Sequence, residues 1–352
     1  MRSRVTWRVV LLSLVSLGPL CSCVAAQAGT RPRVLVITTG GTIALRGKEV
    51  TAIPGLAAVA DVTLVEFVNT GSSKLTPNHW LRLSKLINQS FLKDPGLAGV
   101  VVTHGTDSLE EGAFFLHLTV HDRRPVVVVG AMRNATDVSA DGPANLLNAV
   151  RIAATLEAGG KGVLILLNDE INSARDAVKT DANRLHTFRS LEYGALGVAD
   201  PDTIVFRRAP TTRHTVASEF DVTGIDSLPQ VAIVTDYAGA DGELVKAAAV
   251  RSQGLVVTGF PSASLSFGTT AAVVEVAGRG LPVVVHSRAI SGRARDSYIQ
   301  LAVPRSDSPK SINEAGIIGG RDFTPHRARI LLMLALTKTR DPKRIQAMFD
   351  TY

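Results

Sequence analysis

The sequence predicts an α/β protein with a larger N-terminal domain, in which helices flank a mainly parallel sheet, and a smaller C-terminal α/β domain. Short runs rich in valine and isoleucine recur along the chain, and they are continuous rather than alternating, which is typical of strands buried on both faces. These runs are Val34–Ile37, Val62–Phe67, Gly99–Val102, Pro125–Val129, Val163–Leu167, Val231–Val234, Leu255–Val257 and Pro282–Val285. Helical patterns lie between them, and this alternation favours a parallel sheet.

Capping residues and prolines locate three helix starts. Thr76-Pro77 predicts an N-cap followed by proline in the first turn. Asp107 and Glu110 resemble a capping box, which predicts a helix that begins at Asp107 and runs to about His121. Asp141-Gly142-Pro143 predicts the start of another helix. Each of these helices follows a predicted strand, as the α/β pattern requires.

The first 28 residues have the features of a bacterial export signal. Three arginines precede the apolar stretch Val9–Leu20, and Ala26-Gln27-Ala28 provides a small-residue cleavage site. The apolar stretch is too short and too interrupted to span a membrane. We therefore predict a signal peptide at residues 1–28 and a periplasmic mature protein. A second interpretation is a lipid on Cys23, which would tether the protein to a membrane.

Composition excludes several kinds of chemistry and partner. Both cysteines, Cys21 and Cys23, lie in the predicted signal, so cleavage would leave neither disulfides nor thiols. Loss of the signal's three arginines lowers the formal charge from +7 to +4. The remaining basic residues are scattered, and the sequence therefore predicts no nucleic-acid partner.

The stretch Arg207–Pro229 predicts a linker between the two domains. It contains two prolines and many hydroxyl residues, and it has little periodicity. We therefore expect an N-terminal catalytic domain at residues 29–207, a linker at 208–229 and a C-terminal domain at 230–352.

The segment Ile37–Gly47, ITTGGTIALRG, follows the first predicted strand. It does not have the spacing of a phosphate-binding loop, and GxGxxG is absent as well. A turn that requires glycine would explain Gly40 and Gly41 but not the threonines on both sides. Ligands bind at the carboxyl ends of strands in open parallel sheets. A hydroxyl in this turn is therefore a candidate nucleophile, with backbone N–H groups nearby to hold an oxyanion.

Two further segments carry candidate site residues. Val102–Glu111, VTHGTDSLEE, repeats the pattern of a buried strand followed by glycine and a hydroxyl residue. His104 is interpreted as a packed turn residue rather than a catalytic base. Lys179 lies in a polar segment after another strand and would matter only if it lies against Thr106 and Asp107. An amine there could exchange a proton with a hydroxyl.

Together these segments resemble the bacterial L-asparaginase/glutaminase family, specifically its exported, type II-like branch. The resemblance rests on TTGGTIA, VVTHGTDSLEE, GAMRNATDVSADGPANLLNAV and LNDEINSARDAVKT, and it extends from about Arg33 to the terminal ARILLMLALTKTRDPKRIQAMFDTY. It implies hydrolysis of a side-chain amide without a cofactor or metal, in a tetramer built from two intimate dimers.

The resemblance also implies a role for each matching residue. Thr42 would be the nucleophile that forms an acyl-enzyme, and Thr106 with Lys179 would relay protons. Asp107 would hold the α-ammonium group of the substrate, and Ser72 its α-carboxylate. Ser73 stands where the family has a glutamine that contacts the substrate.

The sequence departs from the family pattern around the substrate. The segment after GGTIA is short and contains no tyrosine, because all four tyrosines lie later in the chain. Ser262 stands where the family has an asparagine. The segment RARDSYIQ after Ser291-Gly292 lacks the glutamate that the family lends to a neighbouring subunit, although Asp296 or Tyr298 could substitute in part. We therefore expect amide hydrolysis to be retained, with altered affinity or substrate preference.

Two other hypotheses remain open at this point. The enzyme could act on another small amide, or the protein could be a periplasmic binding protein for acidic amino acids that has lost turnover. The second is disfavoured because a binder has no need for Thr42 and Lys179 together. His117 and His121 have i,i+4 spacing but lack the glutamate of HExxH, so metal-dependent hydrolysis is a weak alternative.

Overall fold

A computed structural model describes residues 31–41, 43, 52–296, 312–313 and 315–352 of the chain. The predicted signal peptide, with both cysteines, lies outside the described residues. The strands are β1 Arg33–Thr38, β2 Asp61–Glu66, β3 Leu97–Thr103, β4 Val126–Val129, β5 Val163–Leu167, β6 Glu170–Ser173, β7 Val178–Lys179, β8 Phe188–Arg189, β9 Gly197–Ala199, β10 Ile204–Phe206, β11 Val231–Thr235, β12 Gly254–Gly259, β13 Val283–Ser287 and β14 Ile317–Gly319. The α-helices are α1 Leu56–Val59, α2 Pro77–Lys93, α3 Leu109–Thr119, α4 Gly142–Ala153, α5 Glu243–Ala249, α6 Phe267–Gly278, α7 Pro325–Ala335 and α8 Pro342–Thr351.

The larger sheet has eight strands in the order β10-β9-β6-β5-β4-β3-β1-β2. The five adjacent strands β5, β4, β3, β1 and β2 are parallel to one another, and β6, β9 and β10 extend the sheet with antiparallel pairing. The order of the parallel strands reverses between β1 and β3. Such a reversal opens a crevice at the carboxyl ends of the two strands, and that is where open α/β sheets bind ligands.

The smaller sheet belongs to the C-terminal domain and contains β11-β12-β13-β14 in sequence order, all parallel. Apolar residues of α7 and α8 share one buried cluster with Phe114 and Phe115 of α3. Phe220 and Val222, from the predicted linker, are buried in the same cluster. The helices after β14 therefore join the two parts of the protein, with part of the linker packed between them.

All eight predicted strands are present, and the predicted α/β fold with two sheets of unequal size is confirmed. The edge strands β2 and β11 are only half-buried, because each has a neighbour on one side only. The sequence did not indicate β6 to β10 or β14, which have two to four residues each and lack long apolar runs. Among the described residues no helix combines the length and apolarity needed to cross a membrane.

The helix starts at Thr76 and Asp141 are confirmed, but the one at Asp107 is wrong. Helix α3 begins at Leu109 with Ser108 as its N-cap, and it ends at Thr119. The turn through Thr106 and Asp107 stays outside the helix, so the Asp107 carboxylate is not used as a cap. Its side chain is 65% exposed and available for another interaction.

Candidate active site

The turn after β1 holds the end of that strand against β3. The backbone N–H of Thr39 and its Oγ1 both donate to the carbonyl oxygen of Thr103, over 3.2 and 2.9 Å. Thr103 is the last residue of β3, so the two strands that flank the crevice are joined at their carboxyl ends. The candidate nucleophile Thr42 lies three residues after Thr39 and outside the described residues.

Gly40 and Gly41 lie between two other loops. Both have positive φ values, 91° and 87°, which side chains rarely allow. A Cβ on Gly40 would be 2.5 Å from the nitrogen of Thr70, and one on Gly41 would be 2.7 Å from the Cα of Gly105. The glycines are therefore required by close approach as well as by conformation, and three loops meet at this point.

Lys179 lies against Thr106 and Asp107, the contact that the sequence alone could not establish. The Lys179 Nζ donates to Thr106 Oγ1 over 2.9 Å and is 3.4 Å from Asp107 Oδ1. Thr106 is buried, with 9% exposed, whereas the Asp107 carboxylate faces outward. The result is a chain of hydroxyl, amine and carboxylate in which the carboxylate end is accessible. Such a chain can move a proton and bind a cation.

Ser72 connects the loop after β2 to the same turn. Its Oγ accepts the backbone N–H of Asp107 over 3.2 Å, and its carbonyl oxygen accepts the Ser108 hydroxyl over 2.7 Å. Ser72 is 3% exposed and Ser73 beside it is exposed. A Cβ on Gly105 would be 2.7 Å from Ser72 Oγ, so the serine is tightly packed there.

His104 supports the turn from inside the protein. Its Nδ1 is 2.8 Å from the carbonyl oxygen of Gly105, and the ring is 1% exposed. Burial lowers the pKa of His104 to about 4, so the imidazole is neutral at pH 7. Its Nε2 points toward Gly112 of α3. The side chain therefore fits the predicted role of a packed turn residue.

The other residues considered from the sequence lie elsewhere. The Ser262 hydroxyl is 3.2 Å from that of Ser264, and Asp296 forms an ion pair with Arg321 at 2.5 Å. Tyr298 and most of the segment after GGTIA lie outside the described residues. The His117 Nδ1 accepts the backbone N–H of Val163 in the core, and His121 lies beyond the end of α3. The two histidines therefore do not form a pair of ligands.

Sequence reasoning missed the role of Glu110. Its Oε2 accepts the backbone N–H of Lys179 over 3.0 Å and so fixes the main chain that carries the amine. Glu110 was assigned only a capping function, because nothing in the sequence pairs it with a residue 69 positions away.

Family models match both parts of the chain. The model described as "Asparaginase, N-terminal" matches residues 33–212, and the "Glutaminase/Asparaginase C-terminal domain" matches residues 230–349. L-asparaginase 2 of Bacillus subtilis is 38% identical over 94% of this chain and 89% of its own length. Glutaminase-asparaginase of Acinetobacter glutaminasificans is 35% identical over 91% of this chain and 99% of its own. The crystal structure of a probable cytoplasmic L-asparaginase from Campylobacter jejuni superposes with a TM-score of 0.83, at 40% identity, and covers 92% of this chain and 100% of that one.

Proposed function

This chain belongs to the asparaginase family and is an asparaginase-type amidohydrolase, and we propose that it hydrolyses the side-chain amide of L-asparagine to aspartate and ammonia. L-glutamine is the second substrate to test, since one relative is named for both activities. The observation that carries the proposal is the contact of Lys179 with Thr106 and Asp107 beside the crevice between β1 and β3.

The proposed reaction proceeds through an acyl-enzyme on Thr42. The Thr42 hydroxyl attacks the amide carbon, and its proton passes by way of Thr106 and Lys179 to the leaving nitrogen, which departs as ammonia. Water then attacks the ester, Thr42 recovers its proton, and aspartate is released. The Lys179 Nζ lies 2.9 Å from Thr106 Oγ1, so the Thr106 hydroxyl hydrogen can pass to the amine as the Thr106 oxygen takes the proton of Thr42.

Substrate binding is assigned to the outward-facing groups. The exposed Asp107 carboxylate is suited to an α-ammonium group, and Ser72 with Ser73 lies where an α-carboxylate would be met. The Ser72 Oγ already accepts one hydrogen bond and can still donate its own hydrogen. An amino acid held at both ends would present its side-chain amide to the turn after β1.

Altered specificity is the finer part of the proposal. The short segment after Ile43 lacks a tyrosine, Ser73 replaces a glutamine, and Asp296 is already paired with Arg321 of the same chain. Each missing polar contact costs about 1–3 kcal/mol of binding. We therefore expect a weaker or broader amide preference than the family pattern implies.

Export and assembly are proposed on separate grounds. The basic and apolar residues before Ala28 support export to the periplasm in the manner of the type II-like branch. A homotetramer follows only from the family resemblance. Osmotic-shock fractionation and N-terminal sequencing of the mature protein test the first. Light scattering coupled to size-exclusion chromatography tests the second, and a Cys23→Ala variant tests lipid attachment.

The central experiment measures ammonia release from a panel of small amides that includes asparagine, glutamine and D-amino-acid amides. The expected result is turnover of asparagine by the wild type and loss of turnover in Thr42→Ala and Thr106→Ala. If the wild type binds aspartate in a calorimeter but releases no ammonia from any amide, the enzyme proposal fails and the binding-protein hypothesis replaces it.

A further inference from the structure

Lys179 is carried by a very small structural element. Strands β7 and β8 have two residues each, and among the described strands they pair only with one another, separate from both larger sheets. A two-stranded ribbon is marginally stable at best by itself. The position of the Lys179 amine therefore depends on contacts that the ribbon makes with the rest of the protein.

Two side chains hold the main chain around Lys179. Glu110 of α3 accepts the Lys179 N–H over 3.0 Å, as described above. Arg327, in the first turn of α7, donates from Nη2 to the carbonyl oxygen of Ala177, two residues before Lys179. The first anchor comes from the domain that contains the crevice, and the second comes from the C-terminal domain.

Arg327 is costly to bury. The side chain is 2% exposed, its Nε has no hydrogen-bond partner, and within the described part of the chain no carboxylate lies within ion-pair distance. Burial lowers the pKa of Arg327, and the charges of Glu110 and Asp176 oppose that effect from a distance. Arginine nevertheless stays protonated in proteins, so the charge is buried as well.

Stability alone does not account for an arginine at this place. A methionine of similar volume would fill much of the same space without the desolvation penalty of a buried charge. What methionine cannot do is donate to Ala177. The property specific to arginine at this position is therefore its hold on the ribbon.

We infer that Arg327 is a positioning residue, through which the C-terminal domain holds the Lys179 amine against Thr106 in the same chain. The inference rests on the proposed function for the role of Lys179. It assigns to α7 a part in turnover that the crevice residues alone do not reveal. Displacement of a catalytic group by about 1 Å can lower the rate by about 100-fold.

Steady-state kinetics of ammonia release test this inference with a double-mutant cycle. Arg327→Met is expected to lower kcat by about 10–100-fold and to change KM by less than about 3-fold, because Lys179 takes part in proton transfer whereas the substrate ends are held elsewhere. Arg327→Lys, which keeps a donor, should recover most of the loss. In a Lys179→Met background the same Arg327→Met change should alter the residual kcat by less than about 2-fold.

Arg329→Met is the matched control. Arg329 lies on the same helix, faces Glu111 at 3.5 Å and donates to the carbonyl oxygen of Val231, away from the ribbon. Its loss should leave kcat within about 2-fold of the wild type. The inference is overturned if Arg327→Met keeps the wild-type kcat, raises KM instead, or costs the same factor with and without Lys179.

Hydrogen exchange supplies a readout that does not depend on activity. In Arg327→Met, peptides covering residues 176–189 should exchange faster, whereas peptides from β3 and β4 should not change. Unchanged exchange in the ribbon would also overturn the inference. If the wild type releases no ammonia, the proposed function fails, but the exchange data still decide whether Arg327 holds the ribbon. Should the methionine variant not fold, Arg327→Gln replaces it, since its shorter amide cannot reach Ala177.

Discussion

The two sheets of this protein use the same local device at their carboxyl edges. His104 follows β3, and His286 lies near the end of β13; each is 1% exposed. The Nδ1 of each ring lies close to the carbonyl oxygen of the next residue, at 2.8 Å for His104 and 2.7 Å for His286. Burial lowers the pKa of both rings. The two edges are therefore equivalent in the burial, the Nδ1 contact and the direction of the pKa shift of their histidines.

The carboxylates near these edges are not equivalent. Asp236, directly after β11, is 2% exposed and accepts four hydrogen bonds, from the backbone of Tyr237 and Ser266 and from the hydroxyls of Ser266 and Thr269. Within the described residues, the Asp107 carboxylate receives one long contact, from Lys179 at 3.4 Å, and its side chain is mostly exposed. The first carboxylate is satisfied within the fold, whereas the second retains the capacity to bind something else. The difference distinguishes the edge that holds the candidate active site from the corresponding edge of the smaller sheet.

The largest expected effect comes from removing the amine that distinguishes the first edge. Lys179→Met should lower kcat about 1,000-fold, which corresponds to about 4 kcal/mol in the activation free energy, because the proton relay loses its base. The measurement is ammonia release at saturating asparagine, with circular dichroism as the check on folding. Retention of more than about a tenth of the wild-type kcat would remove Lys179 from the mechanism.

The second prediction concerns the satisfied carboxylate. Asp236→Ala leaves the Ser266 N–H and the Thr269 hydroxyl without an acceptor at the start of α6, whereas the Ser266 hydroxyl keeps the carbonyl oxygen of Ala240. The change should lower the free energy of unfolding by about 3 kcal/mol. Urea denaturation measures this change. The fraction that remains folded should keep its kcat within about 2-fold of the wild type. A large fall in kcat without a change in stability would break the distinction between the two edges.

The third prediction uses the property that the two edges share. His104 has a pKa of about 4 in the folded protein and about 6.5 when unfolded, so the native state favours the neutral ring. Its contribution to stability is therefore complete above pH 6.5 and is lost as the pH falls toward 4, by up to about 3 kcal/mol. The pKa of His286 is lowered as well, and the loss has the same sign.

Thermal unfolding of His104→Asn and His286→Asn between pH 4 and pH 7 tests this prediction. Asparagine can still donate to the neighbouring carbonyl but does not titrate in this range. Each variant should show a flatter dependence of stability on pH than the wild type. An unchanged slope in both variants would show that other groups are responsible for acid sensitivity.

The smallest expected effect concerns Ser73, on the exposed rim of the first edge. Ser73→Gln introduces the amide that the family resemblance implies at this position, and it should lower KM for asparagine about 3-fold, which is about 0.7 kcal/mol. Neither kcat nor the unfolding free energy should change measurably. The comparison of KM for asparagine and glutamine in both proteins provides the control. An unchanged ratio with an unchanged KM would mean that Ser73 does not face the substrate.

The parts of the fold that the sequence could predict are those with long uniform patterns. Six central strands with continuous apolar runs, and helices with Thr76 or Asp141 at their starts, were identified because local chemistry determines them. The proximity of Thr106 to the turn after β1 could be predicted because both follow parallel strands, whose carboxyl ends meet at one edge of the sheet. The ribbon of Lys179 could not be predicted, because two-residue strands carry no periodicity.

Arg327 illustrates the other limit. It lies 150 positions from Ala177 in the chain, on a helix whose neighbouring residues are mostly buried and apolar. In the sequence it is one arginine among several near the C-terminus. Only the three-dimensional packing of α7 against the larger domain shows that its guanidinium reaches the segment before Lys179. Asp107 was misassigned for a related reason, since its local sequence also fits a cap.

The interlocked turn at Gly40 sets the rules for recombining this protein with its relatives. The backbone of Thr70 fills the space where a side chain at position 40 would lie, so the loops after β1 and β2 form a matched pair. A chimera that exchanges only the segment after Ile43 for a longer one should therefore place both junctions between Gly41 and Asn69, so that Gly40 and Thr70 come from the same parent. A single crossover between residues 41 and 70 instead takes the two loops from different parents and gives a poor fit between them. In this region, the two loops that contact each other must therefore come from the same parent, although they are separate in the sequence.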